Sequence, residues 1–265
     1  NNPMKHRLSY KASFVFIAAL VSFVVSAQKD RTQTILKSEL IGLEYEVKAG
    51  FNLGGTSPIP LPVEIREIQY FKPSMGLSIE GSVTKWIEKS RWAIRISAAL
   101  ENKGMNTKAR VKNYGMEITG DGGEKMKGNW TGEVKTHVKN SYLTIPIQAV
   151  YKVSNRVTLN SGAYLSYLIE GAFSGTVFEG YIREGDPTGN KVVFSGDSSA
   201  PYDFSNDLQH LQYGVRLGCE WKAFSHLNVY GDLNWGLNNI FKKDFDTVTF
   251  NLYPIFLNVG FGYAF

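Results

Sequence analysis

Residues 251–265 read NLYPIFLNVGFGYAF. Tyr253, Ile255, Leu257, Val259, Phe261, Tyr263 and Phe265 fall at every second position. Successive side chains of a β-strand point to opposite faces, so this set lines one face of a strand. A soluble domain has little use for a bare apolar stripe there, because chain ends fray into water. A stripe facing lipid has a reason to exist, and the rest of the chain repeats the pattern.

Runs of alternating residues recur at roughly 44–54, 71–84, 91–103, 138–152, 156–170, 209–222, 226–238 and 251–265, which predicts eight strands. One face reads Tyr45, Val47, Ala49, Phe51, Leu53 in the first strand and Trp92, Ile94, Ile96, Ala98, Leu100 in the third. The fourth gives Leu143, Ile145, Ile147, Ala149 and Tyr151, and the sixth gives Leu211, Tyr213, Val215, Leu217, Cys219 and Trp221. None of these residues carries a charge. The other face carries Glu46, Lys48, Glu80, Arg95, Glu101, Arg216, Glu220 and Asp232 among many Ser, Thr, Asn and Gly. A soluble barrel needs the reverse, with apolar residues inside. The pattern predicts an all-β fold, a transmembrane eight-stranded antiparallel up-and-down barrel, closed because an open sheet edge is not tolerated in hydrocarbon.

Bulk composition agrees. The 265 residues are 43% hydrophobic with a mean hydropathy of −0.19, as expected when alternating strands cancel in any average. A single cysteine, Cys219, excludes an internal disulfide framework and a cysteine-rich metal site. Residues 1–27 have the form of a signal peptide: Lys5, Arg7 and Lys11 precede the apolar run ASFVFIAALVSFVV, and VSA precedes Gln28. Cleavage is expected after Ala27, with Met4 as the initiator and export through the Sec pathway. Removing those three cations lowers the formal charge from +5 to +2, so a nucleic-acid partner is not expected. Residues 28–43 are expected to form a polar periplasmic leader, and 44–265 the barrel.

The aromatic residues of the apolar face sort by end. Tyr45, Trp92, Tyr151, Trp221, Tyr263 and Phe265 lie toward the short turns, and Phe71, Tyr167, Tyr213, Trp235 and Tyr253 toward the other end. Two girdles at headgroup depth are the expected anchors of a membrane barrel. Turns near 85–90, 153–155 and 223–225 are short and predicted periplasmic; the connections near 104–137 and 171–208 are predicted to be long extracellular loops. Pro146 and Pro254 lie inside predicted strands, where local bulges are expected.

YLTIPIQAVYK (Tyr142–Lys152), LNSGAYLSYLIEG (Leu159–Gly171), GVRLGCEWK (214–222), VYGDLNWGLNNI (229–240) and NVGFGYAF (258–265) resemble the PorT-type outer-membrane β-barrel family of Bacteroidota. The resemblance implies a small bacterial outer-membrane protein of the cell envelope, with a link to type IX secretion through the family's named member. The stripe Leu257, Val259, Phe261, Tyr263, Phe265 resembles the signal read by the barrel-assembly machinery.

Candidate chemistry is sparse. Outer-membrane enzymes acting on lipid A use His and Ser together, yet none of the mature histidines, His137, His210 and His226, begins an H-x-S motif. No catalytic activity, metal or cofactor is expected. The inward charges are expected to pair across a lumen only wide enough for side chains, giving a plugged barrel and not a porin. The predicted loops differ in sign. Lys108, Arg110, Lys112, Lys125, Lys127 and Lys135 outnumber Glu117, Asp121, Glu124 and Glu133 in the first, whereas Glu179, Glu184, Asp186, Asp197, Asp203 and Asp207 outnumber Arg183 and Lys191 in the second. The expected partners are outer-membrane lipid and lipopolysaccharide, the assembly machinery, and other envelope or secretion proteins. Two function classes follow: an envelope structural or secretion-accessory barrel, and a surface receptor or adhesin working through the long loops.

Overall fold

The structure, a computed structural model, describes residues 42–120 and 123–265. The expected signal peptide, nearly all of the leader and Asp121 lie outside the described residues. Tyr45–Ala264 forms one compact body. Its strands are β1 (Leu43–Pro58), β2 (Ile65–Ser74), β3 (Gly76–Trp86), β4 (Trp92–Thr119), β5 (Lys125–Lys152), β6 (Val157–Glu184), β7 (Lys191–Asp203), β8 (Leu211–Lys222), β9 (Leu227–Gly236) and β10 (Leu252–Ala264).

Ten strands among the described residues correct the expected eight. The predicted strand 71–84 is two segments, β2 and β3, which follow one another along β4 and are separated at Met75. The tenth strand, β7, pairs with the outer end of β6 inside the predicted 171–208 loop. The wall itself is a closed ring of eight, in the order β1, β3, β4, β5, β6, β8, β9, β10 and back to β1. Closure leaves the membrane-spanning ladders without an edge.

The long loops are corrected as well. β4, β5 and β6 each run for 28 residues. A tilted strand crosses a bilayer in about 9–11 residues, so most of each strand stands beyond it. Residues 104–119 and 125–137 are the outer continuations of β4 and β5, paired from Gly104↔Lys139 to Thr119↔Lys125. The charged side chains that made this stretch look like loop, such as Lys108, Arg110, Lys127 and Lys135, occupy one face only.

Neither proline makes a bulge. Ile96↔Ile147 and Ala99↔Thr144 keep one register on either side of Pro146, so only the ladder positions opposite it are lost. Pro254 pairs with Thr56 on β1, and the β9 ladder begins one residue later, at Ile255↔Trp235. The missing N–H thus falls where β9 ends. Bulges occur instead beyond the membrane, between Val111 and Tyr114 in β4 and at Ser141/Tyr142 opposite Leu168/Glu170 in β6.

The lipid-facing set is exposed as its parity predicts. Tyr45, Trp92, Trp221, Tyr263 and Phe265 are exposed and Tyr151 is half-buried, its ring 4.7 Å from that of Trp92. Phe71, Tyr167, Tyr213 and Trp235 are exposed and Tyr253 is half-buried. Cys219 faces outward with them.

Candidate functional site

In the membrane-spanning part the interior is filled with buried polar and charged side chains. Nearest the short turns, Glu220 accepts bonds from Lys48 and Arg95; Arg95 Nη2 is 2.9 Å from Glu220 Oε2. Lys48 also lies 3.8 Å from Asp232 and 3.9 Å from Glu46, and Asn228 donates to Glu46 at 2.7 Å. One step further in, the fully buried Arg216 donates to Glu80 (2.6 Å), Glu101 (3.3 Å) and Asn234 (2.6 Å). The structure therefore brings together all eight of the inward charges read from the sequence. Burying each alone would cost several kcal/mol; mutual pairing with extra hydrogen bonds offsets that.

Lys103 was not singled out from the sequence. It donates to Glu101 at 2.8 Å and lies over the rings of Tyr142, Tyr164 and Phe256 at 5.5–5.8 Å. The signal was present, since 95, 97, 99, 101 and 103 share the inward parity of β4. The inward tyrosines find room over small residues. A side chain on Gly214 would strike the Tyr164 ring at 2.8 Å, so the close approach of strand and ring requires glycine there.

Above Lys103 the interior turns apolar. Met105, Val111, Met116 and Ile118 from β4, Trp130, Val134 and Val138 from β5, and Phe173, Val177 and Ile182 from β6 form one buried cluster. Ala200 and Tyr202 of β7 join it, and the 237–251 connection folds Ile240, Phe241 and Val248 into it. Phe241 packs edge-on against Phe173 (4.9 Å) and tilted against Phe245 (4.7 Å). This outer platform has the polarity of a soluble domain, apolar inside and charged outside.

The platform's charges pair mainly within their own hairpin. Glu133 holds Lys108 (2.7 Å) and Arg110 (3.1 Å) and accepts from Gln69 of β2 at 2.8 Å. Burial pushes its carboxyl up, but the hydrogen bonds from Lys108, Gln69 and Arg110 outweigh that and hold it below the usual carboxylate range. Lys125 pairs with Glu117 at 2.7 Å, and Lys127 reaches Asp246 at 2.6 Å. The two segments of opposite sign share one sheet, β5 pairing with β6 from Gly128↔Glu184 downward. The histidines stay apart: His137 bonds Asn106 (2.5 Å), His210 stacks on Tyr167 (5.9 Å), and His226 stacks on Tyr263 (5.6 Å). Among the described residues no three His, Cys, Asp or Glu side chains are grouped to hold a metal.

A closed ring with a charged interior and an apolar, aromatic-rimmed exterior defines a transmembrane barrel of the bacterial outer membrane. The sequence matches the family described as outer membrane protein beta-barrel domain over residues 26–242, and the chain belongs to that family. The family shown is this broad one. No curated protein matches the sequence. Among solved structures, the chain is similar to Ail, the attachment invasion locus protein of Yersinia pestis, at 9% identity over 84% of this chain and 98% of that one, with a TM-score of 0.37. It is similar to Neisserial surface protein A at 12% identity, covering 84% and 97% of the two chains, with a TM-score of 0.32. The translocator domain of the autotransporter NalP from Neisseria meningitidis gives 12% identity, 91% and 98% coverage, and a TM-score of 0.24.

Proposed function

We propose that the protein is a non-enzymatic, plugged outer-membrane barrel that works as a surface receptor or adhesin through its outer platform. The observation that carries this reading is the platform's core: the outer ends of β4, β5, β6 and β7 fold around Trp130, Phe173 and Val177 instead of trailing as loops. Binding by an ordered surface avoids the entropy of ordering it on contact. The lumen network of Arg95, Arg216 and Lys48 with their carboxylates supports a barrel that does not conduct. Lipid, lipopolysaccharide and the assembly machinery are the partners this life cycle implies, with Sec export and cleavage after Ala27.

Replacing 108–133 and 174–204 by short turns removes the platform and leaves the ladders below it. In cells carrying this variant, the expected result is loss of binding to surface glycans and proteins, with secretion of envelope cargo unchanged. Intact binding with impaired secretion would instead support the secretion-accessory role that the PorT-type resemblance implies. In planar bilayers the purified protein should show no porin-sized conductance steps.

A further inference from the structure

The wall is not sealed everywhere. β1 pairs with β10 up to Pro58↔Leu252, yet β2, which follows it, pairs with β4 alone. The connecting sequence GGTSPIPLP (54–62) explains why no tight hairpin forms, since its three prolines offer no N–H to a ladder. The outer end of β1 therefore faces β2 across a gap. Two observations mark the gap as real. The Thr56 N–H, which a neighbouring strand would normally satisfy, points to the sulfur of Met105 at 3.2 Å. β2 has no buried residue at all, and Ile68, Tyr70 and Phe71, on both of its faces, are 48–54% exposed.

Behind the gap lies a cavity of about 350 Å³, within the ~300–1,000 Å³ of small-ligand sites. Its deep wall is Met105, Val134, Phe173 and Phe250, and its mouth is Phe71 and Ile255. Phe71 belongs to the outer aromatic girdle, so the mouth is continuous with the lipid-facing surface. We propose that this lateral opening admits one hydrocarbon chain of an outer-leaflet lipid into the apolar interior of the platform. An apolar ligand reaching this cavity through water would have to cross the charged outer face; one arriving through the wall stays in an apolar medium throughout. The proposal is independent of the receptor reading.

The test uses the full chain in nanodiscs containing a phospholipid with a photoactivatable diazirine near the end of one acyl chain, with crosslinks mapped by mass spectrometry. Lateral entry predicts labels on the inward-facing Met105, Val134, Phe173 or Phe250 as well as on outward residues such as Ile147. A side chain at Gly55 would meet Met105 and the Phe71 ring at 2.8 Å, so Gly55→Val should close the mouth. It should cut interior labelling at least fivefold and leave Ile147 labelling unchanged. Phe71→Ala, which opens the mouth, should keep or raise interior labelling. Labels confined to outward residues in the wild type would overturn the proposal. So would interior labelling by a free diazirine fatty acid with none from the phospholipid, or interior labelling that Gly55→Val leaves intact.

Discussion

The two halves of β5 share one strand and one parity and have opposite chemistry. From Tyr151 back to Leu143, its outward residues are Tyr151, Ala149, Ile147, Ile145 and Leu143, and its inward residues include Gln148 and Thr144. From Ser141 back to Lys125, the outward residues are Ser141, Lys139, His137, Lys135 and Glu133, while Val138, Val134 and Trp130 point in. The strand does not turn over; the solvent around it changes. β4 makes the same exchange between Lys103 and Met105. One set of strands thus builds two cores, a polar one where the surroundings are lipid and an apolar one where they are water.

Arg216→Ala should have the largest effect. It leaves Glu80 and Glu101 facing each other without their shared cation, and removing one partner of a buried pair costs about 3–5 kcal/mol. Early loss of the heat-modifiable folded band on gels is the expected reading for the membrane half. Trp130→Ala should cost a similar amount, about 3–5 kcal/mol, but in the other half. Hydrogen exchange should rise in 109–134 and 173–202 while the heat-modifiable band stays. A whole-barrel failure in that variant would mean the two cores are one cooperative unit.

A charge swap on the outer face sharpens the comparison. Ile147→Lys, in the middle of the lipid-facing row, should cost about 2–4 kcal/mol in folding into bilayers. Lys139→Ile, eight residues along on the same face, should change stability by less than about 0.5 kcal/mol. Equal effects would remove the distinction between the halves.

Acid should loosen the platform slightly. Glu133 is held below its ordinary range, so its contribution is fully present above the unfolded value near 4.3 and disappears as pH falls through the lower folded value. With Arg110 itself 58% exposed and screened, the contribution is about 1 kcal/mol. Protection of β2 amides should fall on that acid limb, and Glu133→Gln should show the loosened state already at neutral pH.

The membrane half was legible because lipid imposes a rule without exceptions: no charge on Ile94, Ile96, Ile145, Ile147 or their neighbours, and alternation unbroken by bulges. The platform was not, although its residues alternate too. Its outward Lys108, Lys135 and Lys139 raise the polarity of the stretch to that of a loop. The bulges at 111–114 and 168–170 and the left-handed Asn113 (φ 56°) and Glu179 (φ 47°) shift the phase, so no single parity runs through β4 or β6. The eight inward charges were readable from parity, and their partners across the lumen were not, because Lys48 and Glu220 are 172 residues apart in the chain. The lateral gap had a trace in the three prolines of 54–62, which read only as a connection.

The exchange of chemistry along β5 can be read with single spin labels at its outward positions. In a Cys219→Ser background, labels at 127, 129, 131, 133, 135, 137 and 139 and at 143, 145, 147, 149 and 151 would be compared for collision with oxygen, which concentrates in lipid, and with a water-soluble nickel chelate. Nickel-accessible labels are expected through 139 and oxygen-accessible labels from 143, with one crossover at Ser141. Oxygen-dominated collisions extending down to 133, or nickel access at 145–149, would contradict it.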